Sequence, residues 1–360
     1  MAPLTGEGRR ASSAPPRPAL PRPALFGLAL IVTAAALAPV VLSATALLNL
    51  QSAAGLALFA CATNLLVGYG GLVSFGQGAF YGIGAYVIAL AWLHLHASFW
   101  VSLACAPVVG AVAALAVGLL ALRTRRLYFA LLTLAVAQLL YVVVQQQVRF
   151  TGGANGVFGA ILPGFLSSPD NGYWFTLAVA AAGLLVLWQI TRSPFGLTLR
   201  AIRENRERAE ALGVNVFRHQ LLAFVISGAF CALAGVLFVV YDQSANPDLL
   251  NWTESGYPIL MAVLGGQFTF LGPALGALIY EQARDVLLVN FTDSQLVFGL
   301  VLLVIMLAAP DGVAGLLRRG GRLLASRWRA LAPARLGGGR GGRPASAAGE
   351  PDQHEAVAGR

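Results

Sequence analysis

PALFGLALIVTAAALAPVVLSATALLNLQSAAGLALFACATNLL, residues 23–66, opens a run that continues to Leu122 without an Asp, Glu, Lys or Arg, 100 residues in all. No soluble core absorbs that length without presenting uncharged surface to water. A helix needs about 20 apolar residues to cross a hydrocarbon layer of roughly 30 Å, so the run holds about four crossings. They are expected near residues 25–42, 44–67, 72–95 and 99–122. The whole chain agrees: 58% of its 360 residues are hydrophobic and 11% charged, against about 45–50% and about 25% in an ordinary globular domain. The fold class expected is all-α, a polytopic helical membrane protein.

The flanks of the run set its orientation. Arg9, Arg10, Arg17 and Arg22 precede it, and Arg123, Arg125 and Arg126 follow it. Four crossings return the chain to its starting side, and both basic flanks then lie in the cytoplasm by the positive-inside rule. Residues 127–148 lead out to a Gly/Pro/Asn-rich loop, and 171–191 lead back. Residues 192–218 carry six arginines and are expected inside. His219 to Tyr241 then crosses to an outer loop with Asp242, Asp248 and Glu254.

Parity constrains what remains. If Ser294 to Pro310 runs inward to deliver the Arg-rich tail, Ser255 to Asp293 must begin and end outside. GGQFTFLGP, Gly265 to Pro273, interrupts that stretch, so it reads as a hairpin of two short or re-entrant helices. The total is about ten transmembrane or re-entrant segments, with 22 of 24 arginines cytoplasmic and the bilayer as partner. Residues 1–23 are expected to form a disordered basic cytoplasmic arm, 24–317 the transmembrane domain, and 318–360 a disordered basic cytoplasmic tail whose composition buries too little surface to order.

The same residues exclude several functions. The net charge of +9 is carried by arginine alone, and there is no lysine, so neither a P-loop nor a Schiff-base site is available. The arginines edge apolar segments instead of covering one face, which argues against nucleic acid. His94, His96, His219 and His354 form no HExxH pattern, Cys61, Cys105 and Cys231 are scattered, and Ser74 lacks the GxSxG spacing, so no catalytic, metal or cofactor site is expected. Between Glu7 and Asp170 there is no acidic residue, which disfavours an ion-coupled carrier, a class that places a carboxylate in the bilayer. That alternative, for small neutral solutes, would depend on Glu281 or Asp285.

Two motifs remain for the membrane region. GYGGLVSFGQGAFYGIGAY, Gly68 to Tyr86, permits close backbone approach and a helix break, with Ser74 and Gln77 as polar groups for freed backbone. It reads as a translocation path or as a packing seam. A similar texture, LGGQFTFLGPALGALIY at Leu264 to Tyr280, suggests two related halves. In the cytoplasmic segment, SPFGLTLRAIRENRERAEALGVN predicts one short amphipathic helix. Ser193-Pro194 starts it, Gly213 and Asn215 stop it, and Arg200–Glu204, Arg203–Glu207 and Arg206–Glu210 form i,i+4 pairs worth about 0.2–0.5 kcal/mol each. It is either a solvated loop helix or a docking surface.

Gly68-Tyr69, Gly71-Leu72, Ser74, Ala79-Phe80 through Gly84-Ala85-Tyr86, TGGANG at Thr151 to Gly156, the 192–218 segment, VLGG at Val263 to Gly266 and GPALGA at Gly272 to Ala277 occur in one order. In that order they resemble the LivM-type permease of ABC importers for branched-chain amino acids. The resemblance covers roughly residues 44–311. It implies a permease subunit of the bacterial inner membrane with both termini cytoplasmic. Its partners would be a second related permease, two cytoplasmic ATP-binding subunits and an extracytoplasmic solute-binding protein, with ATP hydrolysed by those separate subunits. It makes the 192–218 segment the coupling segment, with Arg203, Glu204, Glu207, Ala209 and Gly213 its candidate residues. Glu207, Ala209 and Gly213 match the EAA-to-Gly spacing, and Arg208 replaces the middle alanine. Phe268 stands where the family often has glycine. On this reading Asn64, Ser74 and Gln77, with Gly265 and Gly266, are the candidate path residues, and the solute is a branched-chain or other hydrophobic amino acid.

Overall fold

The computed structural model describes residues 43–290 apart from 125, 160–162 and 167, together with position 39 and scattered positions between 296 and 315. The expected crossings at 25–42 and 294–310, the 1–23 arm and the 318–360 tail lie, those positions aside, outside the described residues. Helix α1 is Ala44–Asn64, α2 Gln77–Leu95, α3 Phe99–Ala121, α4 Arg126–Gln146 and α5 Pro169–Arg192. After them come α6 Pro194–Glu204, α7 Arg206–Ala211, α8 Val216–Asp242, α9 Trp252–Gly265 and α10 Gly272–Asn290.

Among the described residues six helices are long and apolar enough to cross a membrane: α1 with its extension to Gly70, α2, α3, α4, α5 and α8. They match the expected crossings within a few residues, because helices satisfy every backbone group internally where no water can. Polar residues set their starts. Ser43 accepts from Ala46 N at the head of α1, and Asn215 Oδ1 accepts from Arg218 N at 3.0 Å at the head of α8.

These helices sort into an inner and an outer set. In α1, α8 and α2, 72%, 67% and 56% of the apolar window is buried, against 28%, 22% and 17% in α5, α3 and α4. Val108, Val112, Leu120, Leu127, Leu131 and Leu139 of α3, its flank and α4 face outward, as a lipid-facing surface requires. Small residues draw the inner set together and hold α3 to it: a Cβ on Gly235 would lie 1.9 Å from Tyr81 O, and one on Gly110 would lie 2.4 Å from Ala232 Cβ. Dispersion at such seams replaces the hydrophobic drive that lipid removes.

At one end the arginine-bearing turns converge, with Gly71, Leu122, Thr124, Ile202, Arg206 and Gln220 lining a common cleft. At the other, strand β1 Val157–Phe158 pairs antiparallel with β2 Ser244–Ala245 in the register Val157↔Ala245. TGGANG shapes that loop through Gly152 and Gly153 at φ 79° and 62°, backbone that glycine adopts freely.

One expected loop is corrected. Asp248 stays exposed, but the chain after it folds back along α2, where Leu249 and Leu250 meet Gly82 and Ser255 Oγ accepts from Gly78 N at 2.8 Å. Glu254 therefore lies beside Gly78, 17 residues or about 26 Å from the C-terminal end of α2. Gly78 and Gly82 leave room for this return, which a pattern of hydrophobicity does not reveal. The hairpin itself is present as α9 and α10, turning at residues 266–271.

Candidate functional site

α1 ends by widening into a π-helical turn, Leu65–Gly70, after which Gly71 enters the left-handed region at φ 65°. The chain then runs irregularly to Gly76, where α2 begins. Backbone freed at membrane depth needs partners, and side chains provide them. Thr133 Oγ1 accepts from Phe75 N at 3.2 Å and Ser74 Oγ accepts from Gly76 N at 3.2 Å. Gln77 Nε2 donates to Ser74 Oγ at 3.4 Å, and Cys231 Sγ donates to Gln77 Oε1 at 3.1 Å. Ser227 Oγ lies within hydrogen-bond distance of both Ala62 O and Gln77 Oε1. Ser74 and Gln77 are fully buried within this chain.

The second Gly-rich stretch forms the turn between α9 and α10. A Cβ on Gly265 would fall 1.7 Å from Gly272 O, and Gly266 adopts φ 110°. This turn meets the first break: Asn64 Nδ2 donates to Gln267 O at 3.1 Å, and Cys61 Sγ lies 3.6 Å from Phe270 O. Asn64 Oδ1 is buried with no hydrogen-bond partner among the described residues.

The 192–218 segment departs from the single helix expected. α6 and α7 are separated at Asn205, whose backbone is extended at φ −154° and whose Oδ1 accepts from Arg208 N at 2.8 Å. An asparagine side chain competes with the helical ladder and favours a new cap. Of the three expected ion pairs only Arg206–Glu210 forms among the described residues, at 2.9 Å. The break separates Arg203 from Glu207. Arg203 turns inward: Nη1 donates to Gly68 O, and the guanidinium sits 5.1 Å from the Phe268 ring centroid. Arg200 sits 4.6 Å over Tyr69. Glu204 and Glu207 are exposed, whereas Ala209 is buried with Ile202 and Val216. Gly213, at φ 84°, ends α7 with its N–H on Glu210 O and Val214 N–H on Ala209 O, the paired bonds of a Schellman stop.

An arginine from the polar segment thus touches both helix breaks at the point where they meet. The sequence profile described as branched-chain amino acid transport system / permease component matches residues 25–310. The chain belongs to that family. It is 29% identical to the high-affinity branched-chain amino acid transport system permease protein LivM of Salmonella typhimurium, over 71% of this chain and 66% of that protein. The LivM of Escherichia coli matches to the same extent. The autoinducer 2 import system permease protein LsrC of Klebsiella pneumoniae is 31% identical over 40% of this chain and 43% of its own. The match therefore spans just under two thirds of the length of the LivM relatives. No solved structure matches the chain.

In this branched-chain permease family member the sequence misplaced one residue of note. Glu254 is the third residue of α9, after an Asn251 cap that accepts from Thr253 N at 3.1 Å. That spacing was a legible helix start, but the depth was not. A half-buried ionisable side chain packed against an apolar helix of a membrane protein is a functional candidate. Asp285 accepts from Asn49 Nδ2 at 2.8 Å, and buried Glu281 lies 4.0 Å from Arg284, so both sit near the start of α1, away from the Arg203–Gly68 contact at its other end.

Proposed function

We propose that this permease is the membrane-spanning subunit of an ATP-driven importer for branched-chain or other hydrophobic amino acids. It lies in the bacterial inner membrane with both termini in the cytoplasm. A second related permease completes the passage, two cytoplasmic ATP-binding subunits supply energy, and an extracytoplasmic solute-binding protein delivers the solute. With no lysine in the chain there is no P-loop, so hydrolysis falls to the partners. The names of the relatives favour this reading over an ion-coupled carrier.

The observation that carries the reading is the two-faced 192–218 segment. Its outer side presents Leu197, Leu212, Glu204 and Glu207 to a partner, while its inner side meets the helix breaks. Gly213 ends the docking surface and Ala209 holds it to α6 and α8. Asn64, Ser74, Gln77, Gly265 and Gly266 line the passage once the breaks part, and Glu254 joins them as the counter-charge for a zwitterion's ammonium group.

Reconstitution tests this. Co-purified complex in liposomes, with ATP inside and binding protein outside, is expected to accumulate labelled leucine or another hydrophobic amino acid. Uptake by the isolated chain under a pH gradient, or labelling that places residues 195–212 on the cell exterior, would overturn the reading.

A further inference from the structure

The last carbonyls of a helix lack partners within it, and at the end of α1 the Gly68 carbonyl receives Arg203 Nη1. A cation at this point also complements the helix dipole, and a bond from guanidinium to carbonyl is charge-assisted. The same guanidinium lies over Phe268 in the α9–α10 turn, within the range of a cation–π attraction. Its stem fills the space where a side chain on Gly71 would stand, Arg203 Cγ being 2.6 Å from an ideal Cβ there. One side chain therefore joins three elements: the polar segment, the end of α1 and the hairpin turn. Neighbouring Ile202 packs with Ala209 and Val216, so α6, α7 and the start of α8 are joined through one small cluster.

We propose that Arg203 is a positioning residue that passes motion from the polar segment to the two helix breaks, rather than a contact for the ATP-binding partner. While Nη1 holds Gly68 O, the breaks stay closed on one another, with Asn64 on Gln267. When a pull on α6 draws the guanidinium away, the end of α1 loses its cap and the hairpin turn loses its hold at Phe268 in the same movement. Phe268 supplies the ring for this hold, which a residue without an aromatic side chain would not offer the cation.

This inference rests on the importer reading above, and the experiment separates the two. Cys61 lies on the seam between the breaks, buried beside Phe270 O, and serves as a native reporter, read apart from Cys231 by peptide mapping, in a background where exposed Cys105 is serine. Wild type, Arg203→Met, Arg203→Lys and Phe268→Leu are compared in the full complex for uptake per ATP hydrolysed, and for maleimide labelling of Cys61 without nucleotide. Arg203→Met keeps the stem and removes the charge. It is expected to raise Cys61 labelling and to cut uptake per ATP, each by about ten-fold, the factor that one lost charge-assisted hydrogen bond corresponds to. ATP hydrolysis continues, Arg203→Lys restores part of both effects, and Phe268→Leu gives a smaller change in the same direction. Unchanged labelling in Arg203→Met, or a parallel loss of hydrolysis and uptake with labelling unchanged, overturns the proposal. If Arg203→Met does not fold, Phe268→Leu with wild-type labelling overturns it. If wild type binds no ATP-binding subunits, the importer reading fails while the Cys61 labelling of the purified chain still decides the latch.

Discussion

Gly84 of α2 and Ala232 of α8 approach so closely that a Cβ on Gly84 would fall 1.9 Å from the Ala232 carbonyl oxygen. Backbone cannot yield there as a side-chain end can. Gly84→Ala is therefore expected to lower stability by about 1–3 kcal/mol, the cost of overpacking, seen as an earlier thermal unfolding midpoint in detergent. Gly256→Ala is the control, since nothing lies within 4 Å of a Cβ at Gly256. It is expected to be neutral or stabilising by up to about 1 kcal/mol.

Gln77 connects α2 to Ser74, Ser227 and Cys231 inside the bundle. Replacing it with leucine removes these bonds without adding charge. The expected loss is about 0.6–1.7 kcal/mol, the span measured for hydrogen bonds between membrane helices. Urea or detergent titration of the purified permease reads this shift. A stability equal to wild type would mean that the side chain does not hold the break.

Asn205 starts α7 by capping Arg208 N. Asn205→Ala is expected to cost about 1 kcal/mol at that helix start, and to speed amide exchange in residues 206–211 while exchange in α8 stays as it was. Faster exchange throughout the bundle would place the effect elsewhere.

Gly213 occupies the left-handed region with open space around it, so only backbone conformation is at stake. Gly213→Val is expected to cost about 1–2 kcal/mol locally and to lower uptake per ATP hydrolysed. Gly213→Asn, which tolerates this conformation, is expected to retain most of it. Equal behaviour of the two variants in the uptake assay would remove the stop from the coupling mechanism.

Glu254 lies beside Gly78, about 26 Å along α2 from its C-terminal end. Glu254→Gln preserves shape and removes the charge. Uptake of a zwitterionic amino acid is expected to fall by about ten-fold, the scale of one lost hydrogen bond to a charged group, with the unfolding midpoint maintained. Full uptake in that variant would take Glu254 off the path.

Much of this architecture follows from the chain alone. The 100 residues from Pro23 to Leu122 free of Asp, Glu, Lys and Arg require spanning helices, because hydrocarbon offers backbone groups no other partner. Arginine placement gives them an expected orientation. The hairpin around residues 266–271 was legible from parity and from GGQFTFLGP, and the break after Gly71 from its glycines. These are local or one-dimensional constraints, and sequence records such constraints directly.

Tertiary structure decided the contacts between distant segments. Arg203 had a partner of the right charge four residues away in Glu207, but a cap at Asn205 cut the helix, and the guanidinium turned to Gly68, 135 positions earlier. Glu254 read as a surface residue until Gly78 and Gly82 gave its segment a groove to follow inward. In each case a long-range vacancy, a free carbonyl or a missing side chain, outweighed a local preference of a few tenths of a kcal/mol. Such vacancies exist only after the helices have packed.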